Sequence, residues 1–444
     1  MRLVWISFLA APFLAGQTPG PAPLPLSLKR AVEVAVAPEG SAKIQLAGEA
    51  LKQAQARSAQ ARAALLPDLE SSFRYSSQTV NLGAEGLGAA FKIPIAGFTF
   101  PTLVGPFSVA DARATAQQSV FDFSSIRRFQ AAKVGVSASK SDLDASSEQV
   151  AAQVARAYIE AVKGDTDVDT AEANVTLSQA TLTQAQNQKN AGTGTGIEIT
   201  RAKVQLANDQ QRLVAARNAR RAAHLQLLRA MGMRLDTDLE LTDKLQYVPV
   251  DAVAIEAART MAIKERPDFQ AQRERETTAR LSANATTLER LPSVAASADY
   301  GTIGPGLNNA IPTYSYGISV RVPLFDGGRR DARRVESESQ YRAEKVKTND
   351  LKAQIELDVR LALDSLTSAT EEVQVAKDGL ELSDSELTQA RRRYEGGVAN
   401  SLEVTDAQTR LERARDNQTD ALYHYNLARI DLAQAMGKVR SMVQ

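Results

Sequence analysis

Cysteine is absent from the 444 residues, which excludes disulfides, thiolate zinc sites, a cysteine nucleophile and a lipid anchor on an N-terminal cysteine. Aromatic side chains are scarce, at 5% of the chain, so large interdigitated aromatic cores are not expected. Excess charge is missing as well. Lys and Arg number 53 against 52 Asp and Glu, and the net charge of +1 leaves no electrostatic footprint for nucleic acid or an anionic membrane. After the N-terminus there is no long apolar run, so no transmembrane helix is expected.

The N-terminus itself is informative. Arg2 precedes an apolar stretch from Leu3 to Ala15, followed by Ala15-Gly16, Gln17 and a Pro-rich segment. This reads as a secretory signal peptide over residues 1–16, since the stretch falls short of the ~20 apolar residues needed to span a bilayer. The mature protein is therefore expected outside the cytoplasm. Its hydrophobic content of 43%, rich in alanine, suits long helices packed closely through small side chains.

The chain carries one unit twice. Ala230-Met231-Gly232 recurs as Ala435-Met436-Gly437, an offset of 205 residues from Met231 to Met436. At the same offset Ile197-Glu198-Ile199-Thr200 becomes Leu402-Glu403-Val404-Thr405. Upstream, Val120-Phe121-Asp122 answers to Leu324-Phe325-Asp326, and Leu66-Pro67 to Leu291-Pro292 with some drift. The expected division is a first repeat over 17–232, a linking region over 233–273 and a second repeat over 274–444.

Each repeat holds long heptads. In the second, Ile355, Val359, Ala362, Leu366, Ala369, Val373, Ala376, Leu380, Ser383, Leu387, Ala390 and Tyr394 alternate spacings of four and three. The equivalent positions of the first run from Val150 to Leu182 and Ala185, interrupted at Gly164 and at the terminal Lys189. A sustained 3.5-residue repeat with charged flanks predicts coiled coil. Gly396-Gly397, and Gly192, Gly194 and Gly196 in the first repeat, then turn the chain into a second heptad helix, so each repeat makes an antiparallel hairpin. In the second repeat the second seam runs Val404, Ala407, Leu411, Ala414, Gln418, Ala421, Tyr425, Ala428, Leu432, Ala435. A first helix from Gly328 to Glu395 would be roughly 100 Å long, a rod rather than a globular element.

Other stretches alternate with period two. Tyr314 to Val322 and Val294 to Tyr300 do so, as do Leu69, Phe73 and Tyr75 opposite Glu70, Ser72 and Arg74. A weaker stretch spans Phe107 to Phe121, Gly304-Pro305-Gly306 turns the later pair, and Val80 to Pro106 reads as a long loop. Four such strands fit either half of a soluble sandwich or part of a transmembrane barrel, and the exported rod shifts the balance towards the barrel. A pair of strands per repeat closes into a barrel only if several chains contribute.

In order, spacing and duplication, these residues resemble the TolC-type outer-membrane efflux proteins. Leu26-Ser27-Leu28 with Ala31-Val32 resembles the family's opening segment, and Ala64-Leu65-Leu66-Pro67 its helix-to-strand entry. Arg266-Pro267-Asp268 is similar to its mid-chain marker, and Val322-Pro323-Leu324-Phe325-Asp326-Gly327-Gly328 to its strand-to-helix exit. Arg393-Tyr394-Glu395-Gly396-Gly397 followed by Leu402-Glu403-Val404-Thr405-Asp406-Ala407 is similar to its hairpin tip. The resemblance covers nearly the whole mature chain. It implies a mainly α fold with a small β part: long helical hairpins, plus four strands per chain given to a twelve-stranded transmembrane β-barrel of a homotrimer. It also implies an outer-membrane location with a long periplasmic extension in a Gram-negative-type envelope. The implied partners are a periplasmic adaptor (membrane fusion) protein and an RND- or ABC-type inner-membrane transporter. The implied function is a passive exit duct for efflux or type I secretion, opened by untwisting of the hairpins, with no cofactor and no enzyme activity.

The same resemblance points to a site. The family narrows its periplasmic entrance with acidic residues just after the tip, and the matching positions are Glu403 and Asp406. Three chains would bring six carboxylates into a ring, favouring cations and making conductance pH-sensitive. Read on its own, Glu403 is a first-turn carboxylate favoured by the helix dipole, and Asp406 is positioned to pair with Arg410 at i+4. The family's closed state also uses polar links between hairpins: Tyr394 matches its tyrosine and Glu198 its first-repeat acid. The arginine expected to bond that acid falls at Ala399, so either Arg201 or Arg393 substitutes or the closed state is looser. Tyr394 alternatively only continues the seam. Gly192-Thr193-Gly194-Thr195-Gly196 is no phosphate loop, because no Lys-Ser/Thr follows. His224 and His424 lack metal-ligand spacing, and no acid–base or nucleophile set converges. The competing class is a periplasmic coiled-coil scaffold or adaptor without a pore, in which the strands' apolar faces form a soluble core.

Overall fold

The structure, a computed structural model, describes residues 24–84, 102–250 and 254–443. The signal-peptide segment 1–16 lies outside the described residues. In chain order the elements are β1 (Leu24–Leu26), α1 (Leu28–Val36), α2 (Ala42–Ala63), β2 (Asp68–Asn81) and β3 (Leu103–Phe121). Next come α3 (Phe123–Asn190), α4 (Gly196–Met231), β4 (Leu239–Leu241), α5 (Ile255–Glu265) and α6 (Pro267–Leu288). The chain continues through β5 (Ser293–Gly304), a short 3₁₀ turn (Leu307–Asn309) and β6 (Ile311–Arg321). It ends with α7 (Arg329–Glu395), α8 (Ser401–Ala435) and α9 (Val439–Val443). Two compact units result: residues up to 45 with 147–259 and 358–444, and residues 46–146 with 260–357. Both draw on both sequence repeats, so packing and duplication divide the chain differently.

The second unit holds, with helical segments, a four-stranded antiparallel sheet in the order β2-β3-β5-β6. Its register aligns one face across all four strands. Phe73 opposes Ala112, which opposes Thr302, and Leu69 opposes Ala116, then Ala298, then Tyr316. That face carries Leu69, Phe73, Tyr75, Tyr300, Tyr314, Tyr316, Ile318 and Val320, all exposed, with Tyr316 at 81%. Among the described residues the large side chains of this face therefore form no core. The opposite face is polar: Arg113 on β3 donates from Nη1 to Asp299 Oδ1 at 2.6 Å and from Nε to Asp111 Oδ1 at 3.0 Å.

The strands are longer than the alternation alone suggests. β2 continues to Asn81 and β3 starts at Leu103, so the expected loop from Val80 to Pro106 is shorter at both ends. Residues 85–101 of that loop lie outside the described residues. Gly105 and Pro106 conceal the strand in the sequence. They sit where the register shifts between Gln78 and Val80, and such an irregularity accommodates a residue with no N–H to donate. Gly304 likewise belongs to β5, paired with Ala110, rather than to the turn. β6 covers Ile311–Arg321 and leaves Val322 outside. Where each chain leaves the sheet, an aspartate starts the helix. Asp122 accepts from Ser124 N at 2.9 Å, and Asp326 from Arg330 N at 3.1 Å, which explains the repeated Phe-Asp pair.

The helical unit follows the heptads. Ile355, Val359, Ala369, Val373, Leu387 and Ala390 are buried along α7, and Val404, Ala407, Leu411, Ala421, Tyr425 and Ala428 along α8. Leu387 and Ala390 share a cluster with Val404, Ala407 and Leu411, and Ala369 and Val373 share one with Ala421, Tyr425 and Ala428. The two seams therefore run antiparallel. In the first repeat Val150, Val154, Ala161, Val168, Leu182 and Ala185 are buried on α3. The break at Gly164 has a packing correlate: a Cβ there would lie 3.1 Å from Arg220 Cα of α4, so any larger residue would push that backbone away by a few tenths of an ångström. Beside these helices β1 and β4 form a small parallel pair. Tyr158 of α3 anchors it, its one O–H lying within reach of two acceptors, the Leu26 carbonyl at 2.9 Å and Asp243 Oδ2 at 2.8 Å. Strands of three residues are too short to leave a periodic signal, and the sequence does not reveal them.

Candidate functional site at the hairpin tips

Two turns build the tip. At the end of α3, Gly192 N donates to Lys189 O and Thr193 N to Gln188 O, both at 3.0 Å. At the end of α7, Gly397 N donates to Tyr394 O at 3.1 Å and Val398 N to Arg393 O at 3.0 Å. Both patterns are Schellman caps, and Gly192 (φ +77°) and Gly397 (φ +69°) occupy the left-handed position that glycine tolerates. The first tip turns over residues 191–195, and Gly196 already opens α4. Gly194 is also hemmed in, since a Cβ would meet Lys189 N at 2.9 Å.

The following helices are capped differently. Glu198 Oε2 accepts from Thr195 N at 2.8 Å, the return half of a capping box that opens α4. α8 is capped by Asn400, whose Oδ1 accepts from Leu402 N at 3.1 Å and Glu403 N at 3.2 Å. The Glu403 side chain is left free for another partner. It pairs with Arg393 Nε at 2.9 Å, tying the start of α8 to the end of α7. Asp406 is exposed, and among the described residues no cation pairs with it. The expected i+4 partner, Arg410, instead reaches across to Glu386 of α7 at 2.9 Å, because the neighbouring helix offers a carboxylate within its span.

Tyr394 both packs and bonds. It lies against the cluster of Leu387, Ala390, Val404, Ala407 and Leu411, while its hydroxyl donates to Gln188 Oε1 of α3. Burial raises the pKa of this phenol and the nearby Glu198 carboxylate raises it further, so the hydroxyl stays protonated as a donor. Gln188 was not singled out in the sequence. Its only signal is its place in the last heptad turn beside Lys189. Arg201 is exposed and, among the described residues, makes no hydrogen bond or ion pair. Arg393 is taken by Glu403. Among the described residues, then, neither Arg201 nor Arg393 pairs with Glu198.

Among the described residues no group of His, Asp and Glu is arranged to hold a metal, and no helix is long and apolar enough to cross a membrane. His224 contacts Asp165 at 3.1 Å and His424 contacts Glu372 at 3.4 Å, each on a helix flank. The architecture, a one-sided apolar sheet joined to duplicated heptad hairpins, can now be compared with known proteins. The family profile described as "Outer membrane efflux protein" matches residues 36–233 and 258–438. The chain belongs to the outer membrane efflux protein family.

Relatives within and around this family agree. The chain is 22% identical over 317 residues to the alkaline protease secretion protein AprF of Pseudomonas aeruginosa, covering 70% of this chain and 66% of AprF. It is 23% identical over 297 residues to the toluene efflux pump outer membrane protein TtgF of Pseudomonas putida, covering 64% of this chain and 60% of TtgF. The chain thus spans somewhat less than two thirds of the length of these relatives. Among solved structures, the outer membrane protein VceC of Vibrio cholerae superposes with a TM-score of 0.78 at 19% identity, covering 93% of this chain and 96% of VceC. That likeness shows the fold. The efflux-protein fold is mainly helical with a small sheet, as expected, and its location is the outer membrane. The family is one of passive outer-membrane channels rather than enzymes.

Proposed function

We propose that this efflux protein is the passive outer-membrane exit duct of a tripartite efflux or type I secretion system, and that it works as a homotrimer. The carrying observation is the four-stranded sheet. Its large aromatic and aliphatic side chains are exposed in one chain, while the other face holds the Arg113–Asp111–Asp299 network. An apolar outer face and a polar inner face suit a lipid-facing barrel with a wet lumen. The unpaired edges of β2 and β6 suit closure with two further copies into twelve strands. The adaptor and the inner-membrane transporter enter because the relatives are named for a secretion system and an efflux pump. No bond is broken. Energy comes from the partner, and the duct contributes gating through its hairpins.

Glu403 and Asp406 are the proposed selectivity residues. They lie one turn apart at the start of α8, and Asp406 is an exposed carboxylate with no neutralising cation among the described residues. Three copies would leave at least three uncompensated carboxylates at the entrance, favouring cations and a blocking multivalent ion. Tyr394, with Gln188 and Glu198 beside it, is the proposed contact that holds the two hairpins of a chain together when the entrance is shut.

Single-channel recording of the detergent-purified protein in planar bilayers tests both parts, with and without Glu403→Ala plus Asp406→Ala. Cation preference and divalent block should be present in the parent and lost in the double variant. Conduction with unchanged selectivity would remove the site and keep the duct. A folded protein that neither inserts nor conducts, and that carbonate releases from membranes, would instead be a soluble scaffold.

A further inference from the structure

Above the tip the helical unit buries two acids, one of them at a heptad position that should be apolar. Asp209 of α4 is 1% exposed and Glu412 of α8 is 3% exposed. Gln205 Nε2 donates to both, to Asp209 Oδ1 at 3.1 Å and to Glu412 Oε1 at 3.3 Å. Arg212 Nη1 donates to Glu412 Oε2 at 2.7 Å and lies 3.9 Å from Asp209 Oδ1. Ser178 of α3 donates its hydroxyl to Asp209. Two buried carboxylates therefore share one amide and one guanidinium, and one negative charge is left unmatched.

The surrounding charges do not cancel it. From α3, Lys163 is committed to Asp167 at 2.8 Å and to Asp420 of α8 at 3.3 Å, which leaves that group net acidic. On α8, Asp416 adds another carboxylate, and Arg415 donates to the neutral Asn174 at 3.2 Å. α7 meets α8 through its apolar seam, and its carboxylates facing α8, Glu386 and Glu372, are paired with Arg410 and His424. A cavity of about 300 Å³, large enough to hold water, lies on the Asp209 side of the pair and is lined by Asp209, Arg212, Lys163 and Asp416.

We infer that Asp209 and Glu412 form a proton-operated latch between the α3–α4 hairpin and α8. With both ionised, like charges repel across the contact. Uptake of one proton removes the repulsion and leaves a neutral carboxyl able to donate, so the helices hold more tightly. Burial, then the Asp209 charge, raises the Glu412 pKa above the ordinary glutamate value, while Arg212 opposes the shift. An acid whose folded pKa is raised weakens the contact above that pKa and ceases to as pH falls through it. The latch is thus tight in acid and loosens as pH rises. Its consequence for gating rests on the duct reading: acid should hold the hairpins together and the entrance shut.

Hydrogen exchange on the full chain in detergent, between roughly pH 5 and 8 and corrected for intrinsic exchange, tests the latch without requiring conduction. Protection of segments around 205–212 and 408–415 should rise on acidification and fall again as pH returns above the raised Glu412 pKa. Glu412→Gln should stay protected throughout, Asp209→Asn should behave alike if Glu412→Gln fails to fold, and Glu403→Ala plus Asp406→Ala should keep the parent response. Flat protection in the parent, or a parent-like response in both amide variants, overturns the proposal. Protection that responds without any conductance upholds the latch and defeats the duct, whereas conductance with flat protection does the reverse.

Discussion

The two hairpin tips are the same structure used twice with different chemistry. Gly192 and Gly397 sit at the same repeat position and close the same cap. Thr195 and Asn400 are likewise equivalent, as are Glu198 and Glu403, yet the acids do different work. Glu198 reaches back to the Thr195 N–H to complete a capping box, while Asn400 caps α8 by itself and releases Glu403 to bind Arg393. The next turn diverges more sharply, with Arg201 in the first repeat where the second has Asp406. Once backbone geometry is fixed by glycine and cap, the side chains one turn later are free to specialise. The divergence is confined to groups the fold does not need.

The comparison can be broken most directly in the seams. Leu411 is 2% exposed within its cluster, whereas its repeat partner Leu206 is only partly buried against the smaller cluster of Leu182, Ala185 and Ala202. Leu411→Ala should cost about 2–5 kcal/mol and Leu206→Ala clearly less, read as loss of thermal midpoint by circular dichroism. Equal losses would mean that the two hairpins are packed alike. Next in size, Gly397→Val should cost about 1–2 kcal/mol, because a branched residue is forced into the left-handed region. Gly192→Val should match it if the caps are equivalent.

Asn400→Ala removes both accepted bonds at the start of α8 and should cost about 1 kcal/mol, with faster exchange confined to its first turn. Thr195→Ala should be milder, because Glu198 still takes the Thr195 N–H. The smallest effect is expected from Arg393→Ala. Its pair with Glu403 is 58% and 40% exposed, so the loss should stay within about 1 kcal/mol and vanish in high salt. A larger loss at high salt would assign Arg393 a packing role instead.

Much of this could be read from residue order. The repeat offset predicted both tips, the heptads predicted which face of α7 and α8 is buried, and period-two stretches located four strands. The limits of those strands were hidden by residues of poor strand propensity: Gly105 and Pro106, which sit in the register irregularity opposite β2, and Gly304, which pairs with Ala110 of β3. At the site, Glu403, Asp406, Glu198 and Tyr394 were legible as residues but their partners were not. Gln188, Arg393 and Glu386 find their places only when helices pack. The Asp209–Glu412 pair left one faint trace: Asp209 occupies the repeat position of the seam residue Ala414, so a charge stands where the pattern asks for an alanine.

What the sequence determined by itself is periodic and local. It includes the helices with their buried stripes, the glycine turns, the caps beside them and the alternation of the sheet, because each depends on residues within a turn or two of one another. Tertiary structure alone decided which charges meet. Arg410 chose Glu386 over Asp406, Arg393 chose Glu403 over Glu198, and Arg212 was left to serve two buried acids. The physical reason is that an ion pair is set by distances of a few ångströms between separate helices, which spacing along one helix does not encode.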